Sequence, residues 1–305
     1  MTNSGQVLLI IALVVITAII SAYLTKLYIK HKVKGDIMGL IPEDVASDIN
    51  EKMCDGIVYL PYPVWEGEGL EDCIYSQNLA QLLIILCENV GTTNCDIGEI
   101  PLPDSFDTGT AIKFSGHNYA YIFYSSFYRT TFLIWSGTTD AQMAKQDGNL
   151  IPVSVPEYMT VDENIRVHRG FLNIYENTRD QILKEYNKYK SQTDHFVIAG
   201  HSLGGALTSI SAFDAANNSP DVSFYAYTFG SPRCGNIQFA ETYNNLNNLC
   251  SFRVFNTEDI VPTVPLSAPK FHYTHVGTEN ALVPFTMNLG TIVGNHVTAY
   301  LKYLR

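Results

Sequence analysis

The chain has 305 residues, 46% hydrophobic and 16% charged, which fits one large globular α/β domain with an appendage, or two domains, and excludes a disordered chain. A formal net charge of −11 argues against nucleic acid as a partner and against an electrostatic hold on anionic lipid. Six cysteines are too few for a disulfide scaffold, and no Cys or His cluster has metal-site spacing, so neither metal nor cofactor is expected.

Residues 7–25 carry no charge and are rich in Ile, Val, Leu and Ala, long enough to cross a bilayer as one helix. Tyr23 and Tyr28 suit the interface, and Lys26, Lys30, Lys32 and Lys34 follow directly. A secretory signal peptide is the rival, but residues 1–6 hold no basic side chain and the apolar run is long for one. The expectation is a single-pass N-terminal anchor over 1–30. By the lysine bias the main domain would face the cytoplasm, a rule that single-span proteins can break. Residues 31–110 read as a linker and an extension that packs on the core. Within them 76–88 is apolar at helical spacing, and 91–110, with two prolines, is loop.

Residues 111–305 read as the chemical domain. The run 119–135 alternates aromatic, β-branched and small polar residues and breaks near Tyr128 and Arg129, the pattern of a hairpin. Residues 139–162 are polar and aperiodic, a stretch long enough for a lid whose underside would be Ile151, Val153, Val155, Tyr158 and Met159. Helices are expected at 166–190, 203–216, 236–246 and 294–304, and strands at 195–199, 224–229 and 252–255. Strands that alternate with helices imply a mostly parallel sheet. Of the cysteines, Cys54, Cys73, Cys87 and Cys95 precede this domain and Cys234 and Cys250 lie in it; pairing and buried thiols both stay open.

The chemistry centres on Gly200-His201-Ser202-Leu203-Gly204, a strand-to-helix turn of the nucleophile-elbow type. A Cβ two residues to either side of the serine would collide with the neighbouring strand or helix, hence the glycines. A serine hydroxyl needs a base, and the base needs an orienting carboxylate. Where this elbow is used, acid and then histidine follow the serine along the chain. Asp259 is the acid expected, on a loop just past a strand and stiffened by prolines, with Glu258 its competitor. Among the later histidines, His296 opens the last helix and is favoured as base, while His275 lies in a strand-like aromatic run and stays open. His201 neighbours the serine but must point away from it, so packing is its expected role. Two backbone donors would hold the oxyanion: Leu203 N–H at the helix start, and Thr138 after the strand that ends at Trp135.

Several segments together resemble the class 3, or fungal-type, lipase family of α/β-hydrolases: GHSLGGAL at 200–207, FGSPRCGN at 229–236, NTEDIVPTVP at 256–265, YTHVGTE at 273–279, NHVTAYL at 295–301 and VHRGFL at 167–172. The resemblance covers roughly 119–304. It implies an α/β-hydrolase fold with a mostly parallel central sheet. It also implies Asp259 as catalytic acid, His296 as base and a non-catalytic place for His275. The sequence departs from the family at Ser136, where an arginine is usual, and in lacking the Trp and Asp usual soon after, which weakens Thr138. The expected activity is hydrolysis of a lipid ester, acylglycerol or phospholipid, through an acyl-enzyme on Ser202. No protein partner and no nucleic acid are expected, only lipid ester and membrane. Two other readings stay open: an esterase for soluble or polysaccharide-linked esters, and an inactive scaffold that binds lipid or a partner.

Overall fold

The computed structural model describes residues 62–70, 72–90, 102–107, 109–137, 151–265, 272–277, 282–292 and 294–304. The apolar stretch 7–25, Cys54, Cys95, Thr138 and residues 139–150 lie outside them. Among the described residues, no helix is long and apolar enough to cross a membrane.

The strands are β1 (Thr110–Phe114), β2 (His117–Ser125), β3 (Thr130–Trp135), β4 (Pro152–Ser154), β5 (Arg166–His168), β6 (His195–His201), β7 (Ser223–Phe229), β8 (Gly235–Asn236), β9 (Leu249–Asn256), β10 (Tyr273–Thr274) and β11 (Leu282–Phe285). Seven of them form the main sheet in the order β1-β2-β3-β6-β7-β9-β11. The β2–β3 pair is the expected hairpin, antiparallel from Ala120↔Trp135 to Ser125↔Thr130, and β1 extends it. From β3 onward every neighbour runs parallel, through β6, β7, β9 and β11. A second, four-stranded sheet has the order β10-β8-β5-β4.

Five α-helices are described: α1 (Gln77–Val90), α2 (Arg169–Tyr189), α3 (Leu203–Asn218), α4 (Ile237–Asn244) and α5 (Ala299–Tyr303). They cover both faces of the main sheet. Strand residues alternate between faces, so Phe196 and Ile198 of β6 join the cluster with α2, α3 and α4. Val197 and Ala199 join the cluster with α1 and α5. A parallel sheet buried on both faces needs near-continuous apolar strands, and β3 and β6 have them.

Helix α1 is apolar almost all round, which is the signature of a helix buried on every side. Leu79, Leu82, Leu83, Ile84, Ile85 and Leu86 are all fully buried, each contributing about 1.5–3 kcal/mol. The loop that leads into α1 is fixed to the sheet twice. Cys73 and Cys250 form a disulfide across a sequence separation of 177, and the Ser76 N–H donates to Tyr227 Oη at 3.2 Å. Cys87 and Cys234 are buried free thiols.

Three local expectations change. The segment 166–190 opens not as helix but as β5, because Val167 pairs with Val153 and Gly235 in the small sheet. Helix α2 then starts at Arg169, with His168 Nδ1 accepting from the Phe171 N–H. The end of the chain is a π-helical turn, Gly294–Thr298, before α5. The later half of the expected lid is part of the body of the domain. Val155 and Met159 are buried in the core, and Asn217 and Asn218 at the end of α3 donate to the carbonyls of Met159 and Tyr158 at 2.5 and 2.8 Å. That end of α3 is the one far from Ser202, so Tyr158 and Met159 lie away from the serine.

Candidate active site

Ser202 sits between the last residue of β6 and the first of α3, with φ +57° and ψ −122°. A non-glycine residue in that region costs on the order of 1–3 kcal/mol, so its surroundings must hold it there. They do so by close approach. A Cβ on Gly200 would stand 2.1 Å from the Gly204 carbonyl oxygen, and one on Gly204 would stand 2.7 Å from the Trp135 and Ser136 carbonyl oxygens. The Ser202 N–H donates to the Phe229 carbonyl at 2.9 Å, which ties the elbow to the end of β7. Leu203 is the first residue of α3, so its N–H belongs to the first helical turn, which lacks an intrahelical acceptor and carries the positive end of the dipole.

Asp259 follows β9 and is buried. Its Oδ2 accepts from His296 Nδ1 at 2.7 Å and from Tyr300 Oη at 2.7 Å, and its Oδ1 accepts from the Val261 N–H at 3.0 Å. Because a carboxylate only accepts, Nδ1 of His296 carries a proton, the tautomer in which a neutral ring keeps its lone pair on Nε2. That Nε2 is buried and has no hydrogen-bond partner. The ring lies against the elbow. A Cβ on Gly230, the residue after Phe229, would be 3.1 Å from His296 Cε1 and 3.0 Å from Asp259 Oδ2. His201, next to Ser202, has its ring centroid 4.7 Å from that of His296.

The two loops that present acid and histidine are cross-braced by two asparagines. Asn256 Nδ2 donates to the carbonyls of Met287 and Asn295, and its Oδ1 accepts from the N–H groups of Met287 and Glu258. Asn295 Nδ2 donates to the Glu258 carbonyl at 3.1 Å, and its Oδ1 accepts from the Leu289 N–H. Tyr300 adds a third brace, since its Oη also accepts from the Asn256 N–H at 3.1 Å. Burial and the neighbouring Asp259 charge push its phenol well above the usual tyrosine range.

The structure thus pairs Asp259 with His296 and sets the His296 ring beside His201, the residue before Ser202. The competitors stand elsewhere. Glu258 turns outward and accepts from Asn288 Nδ2. His275 donates from Nε2 to the Pro262 carbonyl at 2.7 Å, and burial, with Arg253 beside it, drives its pKa down to about 3. Thr138 lies outside the described residues, but the strand before it leads to the elbow: a Cβ on Gly137 would be 3.8 Å from Ser202 Cβ. Among the described residues, no group of three His, Cys, Asp or Glu could hold a metal ion.

Sequence reasoning missed Tyr300, Asn256, Asn295 and Glu88. Tyr300 was within reach of it, because it lies four residues after His296 and a helical turn puts the two on one face. His201 does more than pack: its Nδ1 lies 2.9 Å from Glu88 Oε1 and its Nε2 is 2.7 Å from the His296 carbonyl oxygen.

The sequence family described as Lipase (class 3) matches residues 132–268. Phospholipase A1-II 1 of Oryza sativa subsp. indica is 31% identical over 170 residues, which cover 50% of this chain and 42% of that protein. A lipase of Rhizomucor miehei is 30% identical over 161 residues, covering 50% and 41%. The chain therefore spans less than half the length of these relatives. The crystal structure of a triacylglycerol lipase from Penicillium expansum superimposes with a TM-score of 0.53 at 20% identity, over 69% of this chain and 80% of that one, a likeness of fold. Residues 132–268 are thus similar to the class 3 lipases, and the chain has an α/β-hydrolase fold with a mostly parallel central sheet.

Proposed function

We propose that the chain is a serine carboxylic-ester hydrolase that cleaves lipid esters. The observation that carries this reading is the His296 ring, with Nδ1 on Asp259 and Nε2 buried and unpaired beside the strained Ser202 elbow. In the reaction, His296 Nε2 takes the proton of Ser202 Oγ as that oxygen attacks the ester carbonyl. Asp259, held by Tyr300 and the Val261 N–H, stabilises the imidazolium and keeps the ring oriented. The tetrahedral oxyanion is met by the Leu203 N–H and by Thr138, in a site where each such donor contributes a factor of about 10²–10³ in rate. His296 then returns the proton to the departing alcohol. Water, activated by the same nitrogen, releases the acid from Ser202.

The names of the relatives, phospholipase A1 and lipase, support a glycerolipid as substrate class. Residues 7–25 fit a membrane anchor, which would raise the local concentration of a bilayer-borne substrate. The Cys73–Cys250 disulfide favours an oxidising compartment for the folded domain. On that reading the domain would lie on the side opposite to the one the lysine run suggests, an exception open to single-span chains.

Turnover of a chromogenic acyl ester by the full chain tests the reading. Ser202→Ala and His296→Ala should each abolish it in folded protein, and the double variant should be little worse than either, because the residues act as a unit. Full activity of His296→Ala would refute the assignment.

A further inference from the structure

His201 has both ring nitrogens engaged and its side chain is only 4% exposed. Nε2 faces the main-chain oxygen of His296, which can only accept, so Nε2 carries a proton. Nδ1 faces the Glu88 carboxylate at 2.9 Å. With no proton on Nδ1, two lone pairs would meet at that distance. The pair is therefore held as imidazolium and carboxylate, the form that the raised His201 pKa favours. One chain of bonds then runs from the C-terminal turn of α1, through the residue before the nucleophile, to the backbone of the proposed base.

We propose that Glu88 is a positioning residue for the catalytic site: it locks the His201 ring so that His201 grips the His296 carbonyl and fixes the π-helical turn that carries His296 beside the Ser202 elbow. This inference rests on the ester-hydrolase reading above. Three observations support it. First, the turn that carries His296 is the wide π form, which recurs at functional sites and where side chains meet a helix backbone. Second, the grip and the His296–Asp259 bond hold the same residue from two sides, so its ring cannot swing without breaking one of them. Third, Glu88 comes from outside the family-matched span 132–268, on a helix that the Cys73–Cys250 disulfide and the core hold against the sheet.

The groups that face His201 are Glu88 and Cys87 of α1, whose thiol meets the His201 main chain; the His296 ring and carbonyl; Tyr300, with ring centroids 5.5 Å apart; and the Asp259 charge. Burial acts to lower the His201 pKa, but the bond and charge of Glu88, with the His296 carbonyl and Asp259, raise it above the usual histidine value. Above that raised value His201 loses a proton; a ring that keeps Nε2–H then turns a lone pair toward the Glu88 carboxylate, so the Glu88 lock is lost as pH climbs through it.

The test compares wild type, Glu88→Ala, Glu88→Gln and His296→Ala as full chains on a short, water-soluble p-nitrophenyl ester. Glu88→Ala should lower kcat about 10–100-fold, the size expected for a misplaced catalytic group, with KM within twofold. Glu88→Gln can donate an amide N–H to Nδ1 and leave Nε2–H on the carbonyl, so it should restore most of kcat near neutrality. It should also lack the alkaline fall in kcat that wild type shows. Unchanged kcat in Glu88→Ala, or Gln no better than Ala, overturns the positioning role while an active wild type and a dead His296→Ala leave the ester-hydrolase reading intact. An inactive wild type overturns both. If Glu88→Ala melts too low to assay, imidazole nitrogen-15 spectra of wild type and Glu88→Gln decide. Two protonated nitrogens on His201 at pH 7 in wild type and one in the variant uphold the inference; one in both overturns it.

Discussion

Removing the Tyr300 hydroxyl isolates the brace behind the acid. Tyr300→Phe keeps the ring, which is fully buried and meets Phe285 edge-on at a centroid distance of 5.3 Å, so packing is preserved. Two hydrogen bonds disappear. One is the donor to Asp259 Oδ2 at 2.7 Å, a bond to a charged group worth about 1.5–3 kcal/mol; the other is the acceptor for the Asn256 N–H at 3.1 Å, worth about 0.5–1.5 kcal/mol. Together they predict a loss of roughly 2–4 kcal/mol, which for a domain of this size lowers Tm by about 5–15 °C. Asp259 keeps His296 and the Val261 N–H, so kcat should fall by no more than about tenfold, far short of the roughly 10⁴ expected when the acid itself is lost. Thermal melts read the first quantity, and initial rates on a soluble ester the second. A Tm within 1 °C of wild type would refute the bonding scheme. A fall in kcat as deep as that of an Asp259→Asn variant would show that Tyr300 does more than hold the carboxylate.

Thr138→Val should lower kcat by about 10²–10³ with little change in KM if its hydroxyl meets the oxyanion; an unchanged kcat limits this residue to its N–H. His168 is buried and His275 half-buried, and loss of solvent drives both pKa values down to about 3, so the unfolded chain binds up to two more protons than the folded one as pH falls below about 6. Stability should therefore rise with pH between 4.5 and 5.5 at up to about 2.7 kcal/mol per unit, and His168→Gln should roughly halve that slope in urea titrations. Cys73→Ser should cost about 2–5 kcal/mol, because the disulfide closes a loop with a sequence separation of 177; unchanged denaturant midpoints with and without reductant would show the bond to be idle.

The elbow was legible because its sequence signals are local: glycines two residues either side of Ser202, an apolar run before, a helix after. The order of Ser202, Asp259 and His296 carried the rest of the proposed machinery. What pairs Asp259 with His296 rather than His275 is tertiary, since one loop brings both histidines near the same turn and only geometry assigns Pro262 to one and Asp259 to the other. The small sheet was invisible because β4, β5, β8 and β10 have three residues at most, too few to show alternation. Glu88 was illegible for a different reason. It lies in the last turn of an apolar helix, where a carboxylate opposes the helix dipole, but nothing local names its partner, which lies more than a hundred residues away.

Helix α1 also fixes a timetable for synthesis. It leaves the ribosome first, yet the strands it packs against, β3, β6 and β7, and the cysteine that fastens its leading loop, Cys250, are made up to roughly 160 residues later. At translation speeds of about 5–20 residues per second, that exposes an almost wholly apolar helix for on the order of 10–30 s. Long-range pairing of this kind slows folding and leaves the nascent chain open to aggregation. A holdase that shields residues 77–90 until β9 emerges should therefore raise the yield of folded protein more than any factor that acts on the completed chain.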